Sequence, residues 1–74
     1  IITSELSSLA KYIEKKIKKN GYLVLSGILD YQSKIILSKF RNFNIILNKK
    51  ISISGWVTII LKKVVKHNET KYLS

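Results

Sequence analysis

Ser26 and Gly27 break the apolar run NGYLVLSGIL at residues 20–29, close to the point where the run itself ends. Ligands of open α/β sheets bind beyond strand ends of this kind, which makes the pair a candidate substrate-facing position. A local account is equally available, with Gly27 permitting a tight backbone and Ser26 bonding to its neighbours. Thr3 and Ser4 present two more hydroxyls, and these also suit the N-cap of a helix. None of the four comes with a proton-transfer partner. His67 has neither a nucleophile nor a carboxylate near it in a periodic element, and Glu5 and Glu14 stand nine residues apart with ordinary capping and pairing roles. Gly21, Gly27 and Gly55 are too widely spaced to cradle a phosphate. With no cysteine, thiolate metal sites are excluded, and one histidine cannot build a zinc site alone. The residues therefore assign no catalytic, cofactor-binding or metal-ligating group.

The elements that must position these groups follow from spacing. Leu6, Leu9, Ala10, Ile13 and Ile17 recur at helical intervals after a cap at Thr3 or Ser4, and Glu5 suits the first turn. Lysines fill the remaining faces, Glu14 is set to pair with Lys18, and Asn20-Gly21 is expected to end the helix, the glycine taking the left-handed conformation. Tyr22–Leu29 lacks in/out alternation, the pattern of a strand covered on both faces. Asp30 is expected to cap a second helix running to about Phe40, with Tyr31 and Ile35 flanking its apolar side. Phe43–Leu47 and Trp56–Leu61 read as strands, Asn48-Lys49-Lys50 as a turn, and Ile51–Ser54 as an exposed hairpin arm. A crossover helix makes the second strand parallel to the first, and the short link makes the last two antiparallel, giving a mixed sheet. Residues 64–74 show no clear period and read as a tail. Trp56 is expected in the core, with a stacking platform as the other reading. Tyr12 and Tyr31 are expected to be partly buried.

At 74 residues there is room for one domain near the lower limit of self-sufficiency. No apolar run approaches the roughly 20 residues of a membrane span, and no secretory signal is visible, so a cytoplasmic location is the expectation. The chain opens on Ile1 and contains no methionine, which suggests a fragment or a processed product. A formal charge of +10 attracts phosphate-rich partners. Lys11, Lys15 and Lys18 are the candidates for nucleic-acid contact, against the plainer reading of a solvated lysine-rich surface.

KNGYLVLSGIL, a helix of about ten residues, a strand, and then GWVTIILKK resemble the C-terminal third of the ribosomal protein L-eleven methyltransferase family. Leu25-Ser26-Gly27-Ile28-Leu29 and Gly55-Trp56-Val57, at their separation, carry the resemblance. Ile1-Ile2 is similar to the pair that follows the active-site asparagine of that family. Lys19-Asn20-Gly21 stands where the family usually has Pro-Gly-Gly, and residues 64–74 run past its usual end. The resemblance covers residues 1 to about 63 and implies an α/β unit of helix-strand-helix-strand-strand order, the C-terminal portion of a Rossmann-like methyltransferase sheet with an antiparallel final hairpin.

It also implies a parent enzyme that uses S-adenosylmethionine to methylate amino groups of ribosomal protein L-eleven, with the cofactor half upstream of Ile1. This chain alone is then expected to be inactive and to bind no cofactor. Thr3, Ser4, Ser26 and Gly27 become substrate-proximal candidates. If on the order of 500 Å² of apolar surface were bare, about 12 kcal/mol of burial would be missing, so the piece is expected to sit with the rest of the enzyme, self-associate or repack. Two other classes compete: a small basic RNA-binding module, and a cationic membrane-active peptide, which the β-rich half disfavours.

Overall fold

The computed structural model describes residues 3–65, with side chains from Glu5 onward. Most of the expected tail, with His67, lies outside the described residues. Five elements follow in order: α1 (Thr3–Lys16), β1 (Tyr22–Leu29), α2 (Asp30–Arg41), β2 (Ile45–Ile53) and β3 (Trp56–Lys63).

The helical spacing of α1 buries Leu6 and Ala10. The helix closes earlier than the lysine run suggests, at Lys16, and Lys18 and Lys19 belong to the connection into β1. Asn20, not Gly21, takes the left-handed conformation (φ 63°), which asparagine tolerates better than most residues. Gly21 is needed for room instead: a Cβ there would lie 2.8 Å from the Lys18 carbonyl oxygen. Glu14 does not bond Lys18. Its carboxylate, at 3.3 Å, and its backbone carbonyl, at 2.8 Å, both accept from the Lys63 ammonium at the end of β3.

Leu29, not Asp30, is the N-cap of α2. Gln32 reaches back so that its Oε1 accepts the Leu29 N–H at 3.0 Å, and the buried Ser33 hydroxyl donates to the Asp30 carbonyl at 2.6 Å. The first bond satisfies an N–H that a helix start leaves unpaired, and the second satisfies the buried hydroxyl itself. Ile36 and Phe40 of α2 complete its buried stripe.

The sheet corrects the expected arrangement. Its order is β1-β3-β2, and both pairings are antiparallel. β1 and β2 do run the same way across the α2 crossover, but they are not neighbours, because β3 folds back into the slot between them. β3 is the strand suited to that slot. Val57, Ile59 and Leu61 are buried on one face while Thr58 and Ile60 are half-buried on the other. The lysine-bearing β2 and the bulged β1 take the edges, where charges and irregularity discourage further pairing.

Asn48-Lys49-Lys50 is not a turn. Asn48 is an extra residue between the Leu47–Leu61 and Lys49–Ile60 pairs, and the strand continues through this bulge to Ile53. The reversal falls at Ser54 and Gly55, both left-handed at φ 51° and 83°, as a tight two-residue hairpin requires. The bulge turns Lys50 to the helix side, where its ammonium lies 2.6 Å from Asp30. That contact lowers the Asp30 pKa through the Lys50 hydrogen bond and charge.

β1 is covered on one face only. Leu23, Leu25 and Ile28 face the helices, whereas Val24 is 60% exposed on the other side. Ile53 and Trp56, 69% and 57% exposed, share that open face, which corrects the core placement of Trp56. Tyr12 and Tyr31 are likewise exposed, as is Ile35. Periodicity reports which residues a strand or helix groups together, and a cover for each group must come from another element. Here both helices pack on the same side of the sheet.

Two measurements test this layering. Ile59→Ala is expected to cost about 3 kcal/mol in urea unfolding, while Ile53→Thr costs under about 0.5 kcal/mol, and similar losses would contradict a one-sided core. In an NMR titration Asp30 is expected to protonate below the usual carboxylate range and to return to it in Lys50→Met. Since its folded pKa is depressed, the pair contributes stability above the unfolded carboxylate value and loses it as pH falls through the folded one.

Candidate functional site

β1 carries its own bulge. The pairs Leu25–Ile59 and Ile28–Val57 leave Ser26 and Gly27 opposite the single residue Thr58. Gly27 is left-handed at φ 71°, and a Cβ built on it would meet nothing within 4 Å. Glycine is thus required by the backbone angle and leaves open space beside it. Bulges of this kind gather where a strand must re-aim its side chains, and active sites are among those places.

Gly27 also lines a cavity of about 370 Å³ between α1, the end of β1 and the face of α2 that runs from Gln32 to Phe40. Leu6 and Leu9 of α1 form one wall, Leu25 through Ile28 another, and Gln32, Ile36 and Phe40 the third. A smaller cavity of about 100 Å³ shares Leu6, Gln32 and Ile36 and extends toward Tyr31 and Ile35. Leu9, which spacing placed on the buried face, lines the larger cavity and is partly exposed. Ser26 and Gly27 are therefore brought to the cavity. Thr3 and Ser4 lie in the turn of α1 that precedes Leu6.

Lys11, Lys15 and Lys18 are exposed on α1 and the connection after it, and none lines either cavity. Gln32 is the residue that spacing did not reveal. A glutamine three places after a strand end, where a helix begins, is a capping pattern, and that signal was available in Leu29-Asp30-Tyr31-Gln32.

The chemistry on offer is narrow. The larger cavity is lined by aliphatic and aromatic carbon, the Ser26 hydroxyl, backbone, and the Gln32 amide, whose oxygen is already held by the Leu29 N–H. Among the described residues no titratable side chain lines it, so these walls can position a group but not move its proton. Among the described residues, no group of three or more His, Cys, Asp or Glu side chains could hold a metal ion.

The family model described as Ribosomal protein L11 methyltransferase (PrmA) matches residues 1–64. The ribosomal protein L11 methyltransferase of Brucella suis (strain ATCC 23445 / NCTC 10510) is 34% identical over 62 residues, which is 84% of this chain and 22% of the relative. The enzyme of the same name from Campylobacter concisus (strain 13826) is 33% identical over 64 residues, 86% of this chain and 22% of the relative. The chain thus spans about a fifth of the length of these relatives, over their C-terminal part.

Replacing Gly27 with alanine isolates the backbone requirement, since the added methyl group finds empty space. Gly27→Ala is expected to cost about 1–2 kcal/mol in chemical unfolding through left-handed strain alone. A loss of under about 0.3 kcal/mol would show that the bulge relaxes without cost.

Proposed function

Because the chain belongs to the ribosomal protein L11 methyltransferase family, we propose that it is the C-terminal portion of an S-adenosylmethionine-dependent enzyme that methylates amino groups of that ribosomal protein. One observation carries this reading: the family match runs through residues 1–64 and so includes both the Ser26-Gly27 bulge and the Gly55-Trp56 hairpin entry. A ribosomal substrate also favours a cytoplasmic site of action. No helix among the described residues is long and apolar enough to cross a membrane.

The residues present do not fit the cofactor. No glycine-rich turn opens a helix here, and no carboxylate lines the cavity to meet ribose hydroxyls. On this reading the cofactor site lies in the part of the relatives' length that these residues do not span, and the 74 residues by themselves are expected to be inactive. What it supplies is a wall. Leu6, Leu9 and Ile28 offer an aliphatic surface suited to the stem of an amine-bearing side chain, with Ser26 and Gly27 at its edge and Thr3 and Ser4 in the adjoining helical turn.

Such a wall also bears on protonation. An amine is nucleophilic only when neutral, and a cavity without a carboxylate does not favour the ammonium form. Held in line with a methyl donor, a neutral amine needs little further acid–base assistance, since alignment accounts for much of the rate. The bare sheet face carrying Val24, Ile53 and Trp56 fits the same reading, because the remainder of a larger enzyme supplies a cover for it.

Methylation of purified ribosomal protein L11 with radiolabelled S-adenosylmethionine tests the proposal. The chain is assayed alone, and then with the Campylobacter concisus relative truncated before its matched segment, both mixed and fused. Activity is expected on complementation and not with either piece alone. Absence of activity in the fusion, with the chimera folded and able to bind cofactor, would overturn the reading.

A further inference from the structure

The cations of this chain are not spread evenly over it. α1 and α2 both end where β1 and β2 begin, and β3 finishes at the same place. Three hydrogen bonds fix that convergence: Asn20 N–H to the Lys63 carbonyl at 2.9 Å, Lys63 N–H to the Gly21 carbonyl at 3.0 Å, and Val64 N–H to the Asn44 carbonyl at 2.8 Å. Lys15, Lys16, Lys18, Lys19 and Arg41 are exposed at this end, with Lys62 half-exposed beside them.

Of the three described carboxylates, two lie elsewhere. Glu5 and Asp30 begin the two helices at the opposite end, where Asp30 is already paired with Lys50. Glu14, the acidic group near the basic end among the described residues, is held by Lys63. The remaining cations there have no described carboxylate to neutralise them. A helix C-terminus accounts for Lys15, Lys16 and Arg41 through its dipole, but not for Lys18 and Lys19 in the connection or for Lys62 on β3.

We infer that this basic end of the fold, built from the α1–β1 connection and the ends of α2 and β3, binds the phosphodiester backbone of a single-stranded RNA. Tyr12 and Tyr22 add exposed rings at its margin, with the Lys16 and Lys62 ammonium groups 5.5 and 5.6 Å from their centroids. Exposed aromatics interleaved with cations suit a strand whose bases are free to stack. A membrane surface fits less well. Of the exposed apolar residues, Ile53 and Trp56 sit at the far end of the sheet, at the hairpin turn, whereas Val24, Ile46 and Val65 lie nearer the basic end and make a lipid surface the occupant that the vesicle arm of the test excludes. The inference does not depend on the methyltransfer reading, since it uses other residues.

Fluorescence anisotropy of a labelled oligouridylate of about 16 nucleotides tests it with the 74-residue chain, at salt from about 50 to 200 mM. Two variants remove the same charge, Lys18→Gln with Lys19→Gln at the basic end and Lys34→Gln with Lys49→Gln away from it. The first pair is expected to weaken binding about tenfold and to flatten the dependence of log affinity on log salt by about 1.4, the value for two single-strand phosphate contacts. The second pair is expected to weaken it less than about twofold. Equal losses in the two variants, or no salt-dependent binding by the unaltered chain, would overturn the inference. So would binding to phosphatidylserine vesicles without binding to the oligonucleotide.

Discussion

The fold depends on β3 lying between two strands that run in the same direction. β1 and β2 share no hydrogen bond, so the sheet exists only through the strand that separates them. That placement demands a chain reversal at Ser54-Gly55, enough apolar surface on β3 to sit at the centre, and a crossover by α2 wide enough to leave the slot open. Each requirement is visible in side chains. The left-handed pair supplies the reversal, Val57, Ile59 and Leu61 fill the helix-facing side, and Phe40 and Ile36 anchor the crossover over them.

Once β3 is central, the two ends of the molecule acquire different characters. At one end the strands open into the bulge at Ser26-Gly27, the N-terminal turns of both helices and the cavity between them. At the other, three chain segments are tied together by backbone hydrogen bonds to Lys63 and Val64, and the cations collect. The larger cavity reaches along α2 as far as Phe40, but none of those cations lines it. The surface proposed for a polyanion and the wall proposed for an amine-bearing side chain thus use different residues of a small chain.

Much of this was legible from residue order, for identifiable reasons. Helical spacing placed Leu6, Ala10, Ile36 and Phe40 correctly because each helix buries a single apolar stripe. LSGIL and GWV, at their separation, carried the family resemblance, which does not depend on three-dimensional detail. What failed was pairing information. Nothing local in Phe43–Leu47 or Trp56–Leu61 states which strand lies beside which, so an inserted antiparallel strand reads like a parallel neighbour. Asn48-Lys49-Lys50 has turn-like composition, yet on an exposed edge strand polar residues cost nothing and a bulge absorbs the irregularity. Glu14 had a good partner four residues away in sequence, and a distant lysine at the end of β3 took its place. Trp56 went to the surface because both helices occupy the other side, a fact of layering that no single strand encodes.

The position of β3 also governs the order in which the structure can form. The strand at the centre of the sheet is the last of the three to be synthesised. While a nascent chain still ends before Trp56, α1, β1, α2 and β2 have no shared ladder to join, and the apolar stretches of β1 and β2 remain exposed as unpaired edges. Both pairings of the sheet therefore wait for β3, the last strand to be made. During translation, that interval is when this segment depends most on its surroundings to keep it from pairing with other chains.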